Sequence, residues 1–179
     1  MTSQSHTRVS TTAVERSNRS DRTLPHVRLG HLPLDSTTST PVVRQCVVSL
    51  ERTTPAGQPL SEADRRRPQQ LRRMSCALLR LWGLPSYIDS VELLISELVT
   101  NALRHGEGPA VGVRICADAN YLHVYVRDGS PSTPVLRPLD DNSEDGRGLH
   151  LVAAVVDHLD ISADGMTVHC ALALPERAA

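Results

Sequence analysis

Helix-like spacing of apolar residues predicts three helices. Between Ser86 and Gly106 the apolar side chains form one stripe, at Val91, Leu94, Ile95, Leu98, Val99 and Ala102. An earlier stripe predicts a helix from Ser61, its N-cap, to about Trp82, with Leu71, Met74, Ala77, Leu78 and Leu81 facing the core. A third helix is predicted over 149–157, packing through Leu149, Val152, Ala153 and Val156.

Five other segments are predicted to be strands. Residues 42–51 are rich in β-branched residues, and residues 110–117 and 121–128 alternate with period two around a short turn. Two further strands lie within 159–174, around a turn at 164–165. Because consecutive strands follow tight turns, we expect an α+β fold. It would be a two-layer sandwich in which a mixed, mostly antiparallel β-sheet carries three helices on one face.

The two ends of the chain differ from the patterned region. Residues 1–40 contain 15 Ser or Thr residues and little periodicity, which predicts a disordered leader rich in Ser, Thr and Arg. We therefore place one domain at 41–175 and a short tail at 176–179.

Composition excludes some classes of protein. Apolar residues make up 40% of the chain, with no Phe and one Trp, so the core is expected to be aliphatic. There is no apolar run long enough for a membrane span and no signal-like N-terminus. The four cysteines lack any CxxC spacing, which favours reduced thiols and a cytoplasmic location.

Charge is spread unevenly along the chain. Residues 1–80 hold 13 Arg against 6 acidic residues, whereas residues 81–179 hold 6 Arg against 14. The arginines near the front lie among Ser and Thr with almost no aromatic residues, which does not favour direct nucleic-acid binding. The chain has no lysine, so a P-loop nucleotide site is excluded.

Three polar features interrupt the apolar pattern. Glu97 and Asn101 share a helix face, next to the apolar stripe, where burial without partners would cost roughly 2–7 kcal/mol each. Asp128 ends the apolar face of a strand and points towards the core side. Gly146 and Gly148 precede an apolar helix, where backbone N–H groups attract anions. Taken singly, each feature also has an ordinary structural explanation. Glu97 and Asn101 could lie on a solvated helix edge, Asp128 could cap a turn, and the two glycines could simply begin a helix.

Together, four short motifs resemble the Bergerat-fold ATPase family, which includes gyrases, chaperones, histidine kinases and mismatch-repair proteins. "ELVTNALRH", with Glu97 and Asn101, matches the family's N box, and "VRDGSP", with Asp128, matches its first glycine box. "DGRGLHLV" matches the second glycine box, and "DGMTV", with Thr167, resembles the last block. Their order and spacing agree with the family over about residues 60–174.

The resemblance implies ATP and Mg²⁺ as cofactors and assigns roles at the phosphate end. Asn101 is expected to ligate Mg²⁺ through its amide oxygen. Glu97 is expected to be catalytic, orienting or deprotonating an attacking hydroxyl. The phosphates are expected to lie against the backbone of Gly146, Arg147, Gly148 and Leu149.

At the adenine end the resemblance assigns three more residues. Asp128 is expected to accept a hydrogen bond from the adenine amino group, and Gly129 to let the backbone approach the base. Thr167 is expected to support Asp128 or a water that bridges to adenine. The first glycine box departs from the family pattern, because Ser130 and Pro131 stand where a second glycine is usual.

Within the family, the chain resembles the small stand-alone anti-sigma-factor serine kinases, especially the actinobacterial branch. "WGLP" and "ELVTNALRHG" are the segments most similar to that branch. This resemblance implies transfer of a phosphate from ATP to a Ser or Thr of an anti-sigma antagonist, alternating with capture of a sigma factor. Related proteins often dimerise through a sheet edge, so a homodimer is also expected. The alternative is a non-catalytic module that uses ATP only to hold a partner-binding shape.

Overall fold

The computed structural model describes residues 44–130 and 147–175, and these contain all the predicted elements. In chain order they are β1 (Arg44–Glu51), α1 (Glu62–Leu81), a 3₁₀ turn (Pro85–Tyr87), α2 (Ile88–His105), β2 (Ala110–Ala117), β3 (Tyr121–Arg127), α3 (Arg147–Val155), β4 (His158–Ile161) and β5 (Thr167–Ala173). The predicted leader and tail, and residues 131–146, lie outside the described residues. No helix in the described ranges is long and apolar enough to cross a membrane.

The five described strands form one open sheet in the order β1-β2-β3-β5-β4. Each pair of neighbours is antiparallel, as expected for strands joined by short connections. The predicted α+β class is confirmed. The prediction that the sheet is mostly antiparallel is also confirmed, and none of the pairings between the described strands is parallel.

One face of the sheet packs against the helices to form the core. Helix α2 lies at its centre and buries seven apolar residues, Val91, Leu94, Ile95, Leu98, Val99, Ala102 and Leu103. The predicted apolar faces of α2 and α3 are confirmed, since every residue named in their stripes is buried. The predicted core positions of Ala77 and Leu81 are wrong, because both side chains are exposed, Leu81 by 80%.

The buried face of α1 is set by its first turn. Ser61 caps the helix, its hydroxyl accepting the N–H of Asp64 at 3.1 Å. The Asp64 carboxylate accepts the N–H groups of Thr53 and Thr54 at 3.2 and 2.8 Å, and Nε of Arg67 at 3.2 Å. Burial opposes ionisation, but these hydrogen bonds outweigh it and lower the pKa of Asp64 to about 2. This anchor turns Leu71 and Leu79 inward, and Leu81 consequently faces solvent.

The opposite face of the sheet carries a polar layer of its own. His123 bonds Asp118 through Nε2 at 3.1 Å and His169 through Nδ1 at 3.0 Å. The Tyr125 ring stacks on His169 with 4.2 Å between centroids. Burial, followed by the neighbouring His123 and His158, lowers the pKa of His169 from 6.5 to about 4. The His169 ring is therefore neutral in the folded protein at neutral pH.

This layer predicts acid sensitivity. Below pH 6.5 the unfolded chain binds a proton at position 169 that the folded protein excludes until about pH 4. The stabilisation is complete above pH 6.5, and about 3 kcal/mol is lost as the pH falls through this interval. Urea titrations of wild type and His169→Phe at several pH values test this. The variant should show a smaller acid-induced loss between pH 6.5 and 4, and an unchanged loss would contradict the assignment.

Candidate functional site

The polar pair on α2 lies half-buried at the edge of the core. Glu97 and Asn101 flank the buried Leu98 on the helix surface, one turn apart. Within the part of the chain that the structure describes, neither side chain takes part in a hydrogen bond or ion pair. Polar groups at this depth are normally paired, so the pair is suited to an external ligand.

The N-terminal turn of α3 lies directly against Glu97. A Cβ built on Gly148 would be 2.3 Å from Oε2 of Glu97 and 3.3 Å from its Cδ, so any larger residue would displace this flexible carboxylate. The first N–H groups of a helix have no partner within the helix, and they favour anions. Leu149 turns its side chain into the core, leaving only its backbone for a ligand. Gly146 and the Arg147 side chain lie outside what the structure describes.

Asp128 follows β3 and supplies a carboxylate that is only partly satisfied. Its Oδ1 accepts the N–H of Ser130 at 2.8 Å, and among the described residues Oδ2 has no partner. Burial raises the pKa of Asp128, although the Ser130 N–H and the positive charges of Arg52 and Arg127 act against the rise. A half-buried carboxylate oxygen of this kind is suited to a ligand N–H donor.

Close backbone packing holds Asp128 in place. The N–H of Gly108 donates to the Asp128 carbonyl at 3.1 Å. Gly129 adopts φ of 72°, and a Cβ there would be 2.9 Å from Cα of Gly108. The left-handed backbone and this contact both require glycine at position 129. Approach of the backbone to a base, the sequence-based role of Gly129, stays a prediction.

Arg52 joins the end of β1 to the end of α2. Its guanidinium donates to the carbonyls of Ala102, Leu103 and Gly108 at 2.7, 2.8 and 3.0 Å. The bond to Leu103 satisfies a carbonyl that the end of the helix leaves without a partner, whereas the Ala102 carbonyl already accepts the Gly106 N–H at 3.0 Å. A Cβ on Gly106 would lie 2.6 Å from Arg52 Nη2 and 2.8 Å from Asp128 Cβ. Gly106 is thus required by packing, since its φ of −66° is open to any residue.

The structure does not bring Thr167 to this group. Thr167 pairs with Arg127 across β3 and β5, while Val126 pairs with Val168 and both of these face the helices. Because side chains alternate along a strand, Thr167 projects to the other face of the sheet, away from Asp128. Opposite Asp128 stands Met166, whose carbonyl accepts the Asp128 N–H at 3.1 Å. The assignment of Thr167 to adenine is corrected on this ground.

Sequence reasoning missed several supporting residues. Arg52 follows a strand without any local motif, so only the tertiary structure reveals its three carbonyl partners. The pair Gly106 and Gly108, directly after the N box, was the available signal for close packing at the end of α2. Ser130, which is 2% exposed, holds Asp128 through its backbone N–H despite the departure from the family's glycine.

Comparison with known families identifies the family of the domain. The family model of the histidine kinase-like ATPase domain matches residues 61–171. The chain belongs to this family. No curated protein matches the chain. Membership implies ATP as the ligand of the domain, and β1 adds an edge strand upstream of the matched range.

The residues present fit ATP. The free Oδ2 of Asp128 suits the adenine amino group, and the N-terminal turn of α3 beside Gly148 suits phosphates. The amide oxygen of Asn101 is the kind of ligand that Mg²⁺ takes between protein and phosphates. Helix α2 contributes to both ends of the site. Residue 97 at the phosphate end and residue 106 beside Asp128 are separated by about 13 Å along the helix axis.

Loss of Arg52 should weaken both the fold and the site. Arg52→Met removes the donor of the Leu103 and Gly108 carbonyls, and we expect the free energy of unfolding to fall by about 2–4 kcal/mol. ATP affinity, measured by calorimetry below the melting temperature, should fall as Asp128 loses its support. Arg66→Met is the control, because the Arg66 side chain is 66% exposed and, among the described residues, pairs only with Glu62. Equal effects of the two variants would contradict the role of Arg52.

Proposed function

We propose that the protein binds Mg·ATP and transfers the γ-phosphate to a Ser or Thr hydroxyl of a partner protein. The observation that carries the proposal is the contact between Gly148 and Glu97, one helical turn from Asn101. It brings a carboxylate base, an amide ligand for Mg²⁺ and an anion-binding helix terminus to one place. Asp128, near the end of the same helix, supplies the acceptor for adenine.

The proposed step uses few groups of the protein. Glu97 accepts the proton of the partner's hydroxyl as its oxygen attacks the γ-phosphorus, and the bond to the departing ADP breaks. The N–H groups at the start of α3 stabilise negative charge on the transferred phosphoryl oxygens. Asn101 would hold Mg²⁺, which when bound neutralises phosphate charge. In a chain without lysine, helix N–H groups take the place of a P-loop lysine.

The partner is proposed from the family resemblance. We assign the protein to the anti-sigma type of regulator, which acts in the cytoplasm on an anti-sigma antagonist and captures a sigma factor. A homodimer through β1 is part of this proposal, because β1 is an edge strand of the described sheet and pairs there only with β2.

A non-catalytic module that binds partners in an ATP-dependent way is the second candidate. Ser130 follows Gly129 where the family usually has a second glycine, and Pro131 comes next. Because proline restricts the backbone, the segment after Gly129 is expected to be stiffer, which favours a fixed shape of the nucleotide site over its opening and closing during turnover. This candidate predicts nucleotide-dependent binding of the partner without any phosphorylated product.

The two candidates are separated by Glu97→Gln. Mg·ATP at 100 times its Kd should stabilise wild type by about 2.7 kcal/mol in thermal unfolding. The variant should retain this stabilisation, because Glu97 is assigned to proton transfer, whereas Asn101→Ala should lose most of it.

Phosphate transfer from radiolabelled ATP to a co-encoded antagonist should fall 10²- to 10⁴-fold in Glu97→Gln. Glu92→Gln, on the same helix, is the control and should transfer normally. Unchanged transfer in Glu97→Gln would contradict the catalytic role.

A glycine substitution tests the contact itself. Gly148→Ala places a methyl group 2.3 Å from Oε2 of Glu97, so this flexible carboxylate must move while the helix remains intact. We expect near wild-type stability and at least a tenfold lower transfer rate. Gly112→Ala is the matched control, since its Cβ would be 3.7 Å from the nearest atom, an ordinary contact with Arg127. Normal transfer in Gly148→Ala would show that Glu97 is not held against α3.

A further inference from the structure

A separate cavity opens between the start of α1 and the end of α2. Its volume is about 480 Å³. Pro59, Leu60 and Pro68 supply an apolar wall, and Thr100 lies on the side of α2. Neither Glu97 nor Asp128 lines it, so the cavity is distinct from the nucleotide site described above.

The charged groups that line this cavity are predominantly basic. Arg65 and Arg104 are exposed, and within the described residues neither guanidinium makes an ion pair or a side-chain hydrogen bond. The remaining charged lining residue, Asp64, is buried and already bound to backbone N–H groups and Arg67. The cavity therefore presents two free guanidinium groups beside an apolar wall, a combination suited to carboxylates on a peptide.

The cavity lies next to the proposed transfer centre along α2. Glu97, Thr100 and Arg104 are spaced three and four residues apart, so they lie along one side of the helix. The seven residues from Glu97 to Arg104 correspond to about 10 Å of helix axis. An extended peptide covers this distance in about three residues.

We propose that this cavity docks an extended, acidic segment of the protein that receives the phosphate. Carboxylates of the segment bind Arg65 and Arg104, its apolar residues contact the wall at Pro59 and Leu60, and its hydroxyl reaches Glu97. The axial distance sets a spacing of about three residues between the hydroxyl-bearing residue and the nearest acidic residue. The inference rests on the proposed phosphate transfer, and it adds the substrate's charge pattern.

Labelled synthetic peptides test the docking without requiring phosphate transfer. Each peptide carries one serine and two glutamates whose distance from the serine is varied one residue at a time, and a matched glutamine series is neutral. Binding is measured by fluorescence anisotropy with a non-hydrolysable ATP analogue and Mg²⁺ present. Wild type should prefer glutamate over glutamine, with the tightest binding near the three-residue spacing. Arg65→Gln and Arg104→Gln should each weaken binding about five- to tenfold.

Arg66→Gln is the matched control, since Arg66 adjoins Arg65 but pairs with Glu62 and does not line the cavity. Melting temperatures and nucleotide affinity of all variants establish that they are folded. Equal binding of glutamate and glutamine peptides, or an equal loss in Arg66→Gln and Arg65→Gln, would overturn the docking site. If the docking site fails in this way but the protein still binds the ATP analogue, the proposed function is unaffected. If the protein does not bind the analogue, the proposed function is contradicted as well.

Discussion

The C-terminal end of α2 is the constraint on which the site depends. A helix that ends inside a protein leaves carbonyl groups without partners, and here Arg52 binds one of them, at Leu103, together with the carbonyls of Ala102 and Gly108. Glycine at 106 and 108 makes room for the guanidinium and for Asp128 in the same small volume. The end of β1, the end of α2 and the residue after β3 are thereby fixed to one another.

This arrangement explains why a core helix carries polar residues. Helix α2 buries its apolar stripe against the sheet and turns Glu97 towards the N-terminal turn of α3, with Asn101 one helical turn further on. Groups that lack protein partners are destabilising at such depth unless a ligand satisfies them. In the proposed function, phosphate and Mg²⁺ at one end of α2 and adenine at Asp128 would supply those partners. The free energy that these unpaired groups cost the unliganded protein would then be offset when the nucleotide binds.

Much of this could be predicted from the sequence, because the period of the apolar pattern reports the element type directly. The stripe of α2 and the hairpin of β2 and β3 were predicted on this basis, as was Asp128 on the inner face. Residues whose role depends on distant contacts could not be predicted in this way. Arg52 has no local signal, Leu81 is exposed because Asp64 sets the rotation of α1, and a one-residue difference in register removes Thr167 from the site.

The central claim is that α2 joins an adenine end at Asp128 to a phosphate end at Glu97, Asn101 and Gly148. A crystal structure with Mg²⁺ and a non-hydrolysable ATP analogue tests it most directly. The account predicts the adenine amino group within hydrogen-bonding distance of Oδ2 of Asp128, with the phosphates against the first turn of α3 and Mg²⁺ on Asn101. Nucleotide bound elsewhere, or with its base away from Asp128, would contradict it.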